Sequence, residues 1–392
     1  MLTTSKPFTF ATTLRCSNCN QEYSLSSINS YALCCNQPLV VEYDMSGGLL
    51  KTDLQDRQKN MWRYAEMLPV AKEKNIISLG EGMTPMLPLY KLADRFGFSD
   101  LSLKDESFNP TLSFKARGIS VAVSKAKELN IEHCIIPTAG NAGGALAAYC
   151  AKADIECTVV MPRHTPNIFK QECELYGANL ILVDGLINDC AKKIEELNKD
   201  NKYFDVSTLK EPYRLEGKKT MGYEIAEQYN WDLPDVIIYP AGGGTGLIGI
   251  WKAFKEMKKM GWISGPLPRM IAVQSKNCAP LLHAFKYPVN WKKNFIPKAT
   301  IANGLAVPYP FGMKMMLTVL KESRGTVVAV EDEEIISAVK EIAKTEGLLI
   351  SPEGAATWKA LLHLNRTKQI GLSEKLLLLN TGSGYKYLEN TN

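Results

Sequence analysis

From about residue 132 the chain alternates short, continuously apolar runs with longer stretches in which apolar residues return every three or four positions. Residues 134–137, 156–161 and 179–183 read as strands, and 142–152, 166–176 and 187–198 as the helices between them. Short strands that are apolar on both faces and joined through helices predict a parallel sheet covered on both sides. The rhythm resumes with strands over 236–239, 270–274, 326–330 and 376–379 and helices over 246–260, 332–346 and 353–364. Two doubly wound α/β units on one plan are the economical reading, with their boundary near a helix around 221–229. The first 45 residues differ. They are Ser-, Asn- and Cys-rich, and the alternating Leu39-Val40-Val41-Glu42-Tyr43 suits a small β-strand. Between them lie a helical pattern over 54–68 and the Gly/Pro-punctuated stretch Leu79 to Pro85.

Composition narrows the class. A length of 392 residues predicts two to three domains, and 45% hydrophobic with 22% charged residues excludes wholesale disorder. Forty-six basic against 41 acidic residues leave a net charge of +5, interleaved rather than blocked, which gives no case for a nucleic-acid partner. No run approaches the roughly 18 apolar residues of a membrane span. The opening segment lacks the apolar core of a secretion signal. Six of the ten cysteines (Cys134, Cys150, Cys157, Cys173, Cys190, Cys278) sit in apolar or helical stretches. That pattern suits a reducing compartment, hence the cytoplasm, better than a disulfide framework.

Ligands of doubly wound sheets bind beyond the carboxyl ends of the strands, so the strand-to-helix turns are where chemistry is to be sought. Ala241-Gly242-Gly243-Gly244-Thr245-Gly246 follows one strand and opens a helix, an arrangement that offers backbone N–H groups to an anion. It is no P-loop, since no Gly-Lys-Ser/Thr follows, and no acidic residue completes a dinucleotide fingerprint. Thr138-Ala139-Gly140-Asn141 is a second such turn, where Asn141 either points its amide at a ligand or merely caps the helix. Thr381-Gly382-Ser383-Gly384 is a third. Lys115, in Ser113-Phe114-Lys115-Ala116-Arg117-Gly118 at a helix start, is a candidate amine nucleophile, although most lysines are simply solvated. The four histidines fall in no triad or HExxH pattern, which argues against hydrolytic triads and zinc-hydrolase chemistry.

SFKARG, TAGNAG, GGGTG and TGSG, in that order, resemble the fold-type II pyridoxal-phosphate enzymes. Met61-Trp62-Arg63-Tyr64, LGEGMTP, Tyr213 to Thr220, Ile301-Ala302-Asn303-Gly304-Leu305 and Ser351-Pro352-Glu353-Gly354 look like the threonine-synthase family within them. The resemblance implies a small zinc-ribbon-like β segment over 1–45 and a large cofactor-binding domain made of 46–130 and 221–392. The small α/β domain would span 131–220. It also implies roles. Lys115 would bond pyridoxal phosphate covalently and carry protons at the substrate's α, β and γ carbons. Gly242, Gly243, Gly244 and Thr245 would cradle the cofactor phosphate, Asn141 would bond its 3′-oxygen, and Thr381 its pyridine nitrogen. Arg214 would bind the phosphate that leaves the substrate, with Thr138 and Ser113 as further substrate contacts; the bland alternative for Arg214 is a surface salt bridge. The family's reaction converts O-phospho-L-homoserine and water to L-threonine and phosphate by γ-elimination and β-addition. A small amino-acid substrate and a homodimer follow by analogy.

Three positions depart from the family pattern. Ala116 stands where an Asp is common, Ala139 and Ala142 replace hydroxyl residues, and Leu247 follows the glycine loop where an Asn is frequent. Each removes a polar group that could hold substrate, so a serine- or threonine-directed β-eliminating or β-replacing enzyme stays open as the alternative. Cys16-Ser17-Asn18-Cys19 has the spacing of a metal knuckle, and Cys34 with Cys35 could complete four thiolates around a structural zinc. The adjacency of Cys34 and Cys35 demands a strained backbone for that; the alternative is a decayed ribbon held by packing.

Overall fold

Residues 7–390, apart from 201 and 294, are described in a computed structural model of the chain. The first six residues of the opening segment lie outside them. Two compact units are interleaved in sequence. One comprises the residues through Met83 with Lys115–Tyr223 and Lys252–Ser264. The other comprises Thr84–Phe114, Glu224–Trp251 and the residues from Gly265 onward.

The first unit opens with a three-stranded antiparallel sheet in which Ala11–Cys16 lies between Glu22–Tyr23 and Leu39–Tyr43. Leu39, Val41 and Tyr43 point inward and Val40 and Glu42 outward, the alternation that a one-sided sheet requires. A four-stranded parallel sheet follows, in the order Asn179–Val183, Glu156–Pro162, His133–Pro137, Phe204–Asp205. Its central residues Cys134, Ile135, Ile136, Val159 and Val160 are buried, which is why those runs show no polar alternation.

The second unit holds a six-stranded sheet ordered Thr326–Val330, Arg269–Ser275, Val236–Pro240, Lys375–Asn380, Asp100–Asp105, Met86–Pro88. All neighbours are parallel except the last pair. The helices Asp332–Glu346 and Pro352–Arg366 bury Ile335, Val339, Trp358 and Leu361 in one cluster with Leu376 and Leu378 of the sheet. Among the described residues no helix is long and apolar enough to cross a membrane.

In the N-terminal third one expectation changes and one strand was not expected. The pattern over 54–68 is no single helix: Leu54 ends the 3-10 helix Lys51–Leu54, and a second 3-10 helix runs Met61–Met67, kinked at Tyr64. Met61 to Ala65 are buried without interruption, so no single face of an α-helix could serve them. Asp100–Asp105 escapes the apolar pattern because it carries Lys104 and Asp105 into the core. The buried Lys104 ammonium is held by Glu224 at 3.0 Å, Gln228 at 2.8 Å and the Thr84 carbonyl at 2.7 Å.

Candidate active site

In the first unit, Lys115 is the first residue of the Lys115–Glu128 helix and is half-buried. Asn141 begins the Asn141–Ala153 helix, but the N-cap is Gly140. Capping is therefore not what the Asn141 amide does. Thr138, buried at the end of its strand, accepts from the Gly140 N–H at 3.2 Å and fixes the turn in front of Asn141.

Arg214 is the second residue of the Tyr213–Gln228 helix and is 2% exposed, so it forms no surface salt bridge. Its Nη1 donates to the Val206 carbonyl at 2.6 Å, and its buried Nε has no hydrogen-bond partner among the described residues. Burial lowers its pKa, against the opposing charges of Glu211 and Asp205. Glu211 accepts from the N–H groups of Tyr213 at 2.7 Å and Arg214 at 3.0 Å, capping the helix. Of the residues that depart from the family pattern, Ala116, Ala142 and Leu247 are all buried, which makes them packing positions.

In the second unit, the strand Val236–Pro240 runs into Gly242–Gly244 and then into the Thr245–Lys259 helix. Gly244 has φ +85°, a conformation that side chains disfavour. A Cβ on Gly242 would overlap the Gly304 carbonyl, which draws the Asn303-Gly304 turn against the glycine loop. The first N–H groups of a helix have no partners within it, and here no side chain precedes them for three residues. This donor set suits a phosphate. Glu353, absent from the site residues read in the sequence, joins two further motifs: its Oε1 accepts from the Gly304 N–H at 2.7 Å and the Tyr387 hydroxyl at 3.1 Å.

The Thr381 turn is tied to the segment that precedes Lys115. Phe114 N–H donates to the Thr381 carbonyl at 3.0 Å, Ser113 bridges Gly382, and Ser383 N–H donates to the Leu112 carbonyl at 3.0 Å. Ser113 is fully buried in that bridge. Another residue the sequence reading missed is Glu81, in the LGEGMTP stretch. Its buried carboxylate accepts from Trp62 Nε1 at 2.8 Å, Ser120 Oγ at 2.6 Å and Tyr149 OH at 2.6 Å. It thereby joins the helix that begins at Lys115 to the one that begins at Asn141. A Glu between two glycines is the local signal; its three partners are far apart in sequence.

The Sγ atoms of Cys16, Cys19, Cys34 and Cys35 all lie within 4.8 Å of one another. Asn20 and Asn36 adopt φ +64° and +50°, left-handed turns that Asn tolerates, directly after Cys19 and Cys35. The adjacency of Cys34 and Cys35 is thus no obstacle to a four-sulfur cluster. At Cys16 burial raises the pKa, but hydrogen bonds from the Cys19 and Asn18 N–H groups outweigh it and bring the thiol down to about 7.

The chain as a whole is similar to known proteins. The family model for pyridoxal-phosphate dependent enzymes matches residues 77–382. The threonine synthase of Methanocaldococcus jannaschii is 34% identical over 379 residues, 95% of this chain and 92% of that protein. That of Methanosarcina acetivorans is 33% identical over 94% of this chain and 91% of its own length. Maize serine racemase shares the fold at TM-score 0.65 and 22% identity, over 78% of this chain and 92% of its own. The chain belongs to the pyridoxal-phosphate dependent enzyme family. Within that family it is similar over nearly its whole length to threonine synthases.

Proposed function

We propose that the protein is a threonine synthase, converting O-phospho-L-homoserine and water to L-threonine and phosphate. The observation that carries this reading is the similarity to threonine synthases along nearly the entire chain. Bound pyridoxal phosphate supplies an electron sink for carbanions next to the amino-acid nitrogen. The chain supplies the rest. Lys115, the first residue of its helix, holds the cofactor and moves protons at the substrate carbons. Gly242, Gly243, Gly244 and Thr245 give N–H groups to the cofactor phosphate, Asn141 an amide to its 3′-oxygen and Thr381 a hydroxyl to its ring nitrogen. A neutral hydroxyl stabilises a protonated ring less than a carboxylate would, which favours controlled elimination and replacement. Arg214, Thr138 and Ser113 serve the substrate in this reading. The unsatisfied Nε of Arg214 supports an anionic partner.

A structural zinc on Cys16, Cys19, Cys34 and Cys35 belongs to the same proposal. Tetrahedral Zn–S bonds of about 2.3 Å need sulfurs close to the spacing found here. A cytoplasmic homodimer acting on a small amino acid completes it, by analogy with the family.

Incubation with O-phosphohomoserine should release threonine and phosphate in equal amounts, and Lys115→Ala should abolish both, together with the visible absorption band of the loaded enzyme. Keto-acid release from serine or threonine, with O-phosphohomoserine inert, would replace this reading by the β-eliminating one.

A further inference from the structure

Two consecutive residues just before the lysine helix, Thr111 and Leu112, adopt left-handed φ angles of +58° and +56°. Neither is glycine, and such conformations persist only where the surroundings over-determine them. Backbone bonds supply part of that constraint: Leu112 N–H donates to the Asn109 carbonyl at 2.9 Å, and residues 112–114 are paired with 381–383. One side chain supplies more. Lys386 Nζ donates to the carbonyl of Thr111 at 2.9 Å, on the peptide that links the two strained residues. Lys386 is only 7% exposed. An ammonium taken out of water is costly, and here one of its hydrogen bonds goes to this backbone oxygen.

We infer that Lys386 is a positioning residue for Lys115. It clamps the strained Thr111–Leu112 peptide, so the segment that delivers Lys115 four residues later is held in one conformation. This rests on the reading of Lys115 as the cofactor-bonding residue, deepens it, and gives the last turn of the chain a part in catalysis without contact to reacting atoms.

The test uses the full chain with Lys386→Met and Lys386→Arg. In cofactor-free protein, Lys386→Met should raise amide exchange at Leu112 and Phe114 about tenfold, the equivalent of one charge-assisted hydrogen bond. In the loaded enzyme kcat should fall by a similar factor with KM little changed, and Lys386→Arg should restore both protection and kcat. Adding Leu112→Gly to Lys386→Met should recover protection, because glycine adopts the left-handed conformation without strain. If Lys386→Met does not fold, Leu112→Gly alone must make Lys386→Gln tolerated, and failure of that pair overturns the proposal. Unchanged exchange, or a kcat untouched by Lys386→Met, also overturns it. Borohydride reduction and peptide mapping separate the two readings. Cofactor absent from the Lys115 peptide defeats the functional assignment, whereas cofactor on Lys115 with unchanged exchange defeats the clamp alone.

Discussion

Glu211 caps a helix with one carboxylate oxygen while its other oxygen, buried, finds no hydrogen-bond partner among the described residues. Burial, only partly offset by Arg214, pushes its carboxyl up from 4.5 to about 7. Between those values the native state binds more protons here than the unfolded chain does. This contribution to stability is complete below about pH 4.5 and is lost as pH rises through about 7, falling by roughly 1.4 kcal/mol for each pH unit in between. Glu211→Gln keeps the capping acceptor and removes the titration. Urea unfolding at pH 5 and pH 7.5 should show a smaller loss of stability in the variant than in the parent; equal losses would refute the assignment. Nothing in the local sequence, Lys-Glu-Pro-Tyr-Arg, announces a carboxyl of this kind. Its surroundings come from folding. Lys115 is the opposite case: its motif singles it out, and the structure adds the helix start.

Helices and strands were legible where the apolar pattern is regular along the chain. The continuously apolar strands over 179–183 and 326–330 end at the residues predicted, and the helix over 332–346 does likewise. Asp100–Asp105 was not, because the buried Lys104 ammonium is balanced by Glu224, 120 positions away, and Asp105 accepts from the amide of Asn380, 275 positions away. Contacts between helices were illegible for a related reason. Gly217 packs so tightly on the Lys115–Glu128 helix that a Cβ there would overlap the Arg117 carbonyl, and one on Gly118 would come within 2.7 Å of the Arg214 carbonyl. Helix propensity favours alanine at Gly217 by about 1 kcal/mol. The closed contact predicts the reverse. Gly217→Ala should destabilise the protein by about 1–3 kcal/mol, read from thermal or urea unfolding, with a neutral or stabilising result arguing that the helices are further apart.

Over the whole molecule, the cysteine head is fastened to the rest of its unit by a buried charge network. Lys252 donates to the Val41 carbonyl at 2.6 Å and pairs with Glu216 at 2.5 Å, and Tyr43 OH donates to Glu216 at 2.8 Å. Lys219 pairs with Glu216 at 2.8 Å and Glu256 at 3.0 Å, under the ring of Tyr43. Because the head is tied to the Tyr213–Gln228 helix, loss of a metal from its four thiolates should be felt beyond the head. Purified protein should contain about one zinc per chain, and chelation should lower the melting temperature and expose four additional reactive thiols. A zinc content near zero removes the metal from the account and leaves the network as the head's main support. The alternation of strand and helix from about residue 132 onward and the three glycine-bearing turns between strand and helix were legible in the sequence alone, since periodicity and glycine placement are local properties of the chain, whereas Lys115 stood out only through its resemblance to a family motif. Which carboxyls are buried, which glycines lie against backbone, and that Lys386 grips a strained peptide were decided by tertiary structure. Desolvation and close packing depend on groups that folding gathers from distant parts of the chain.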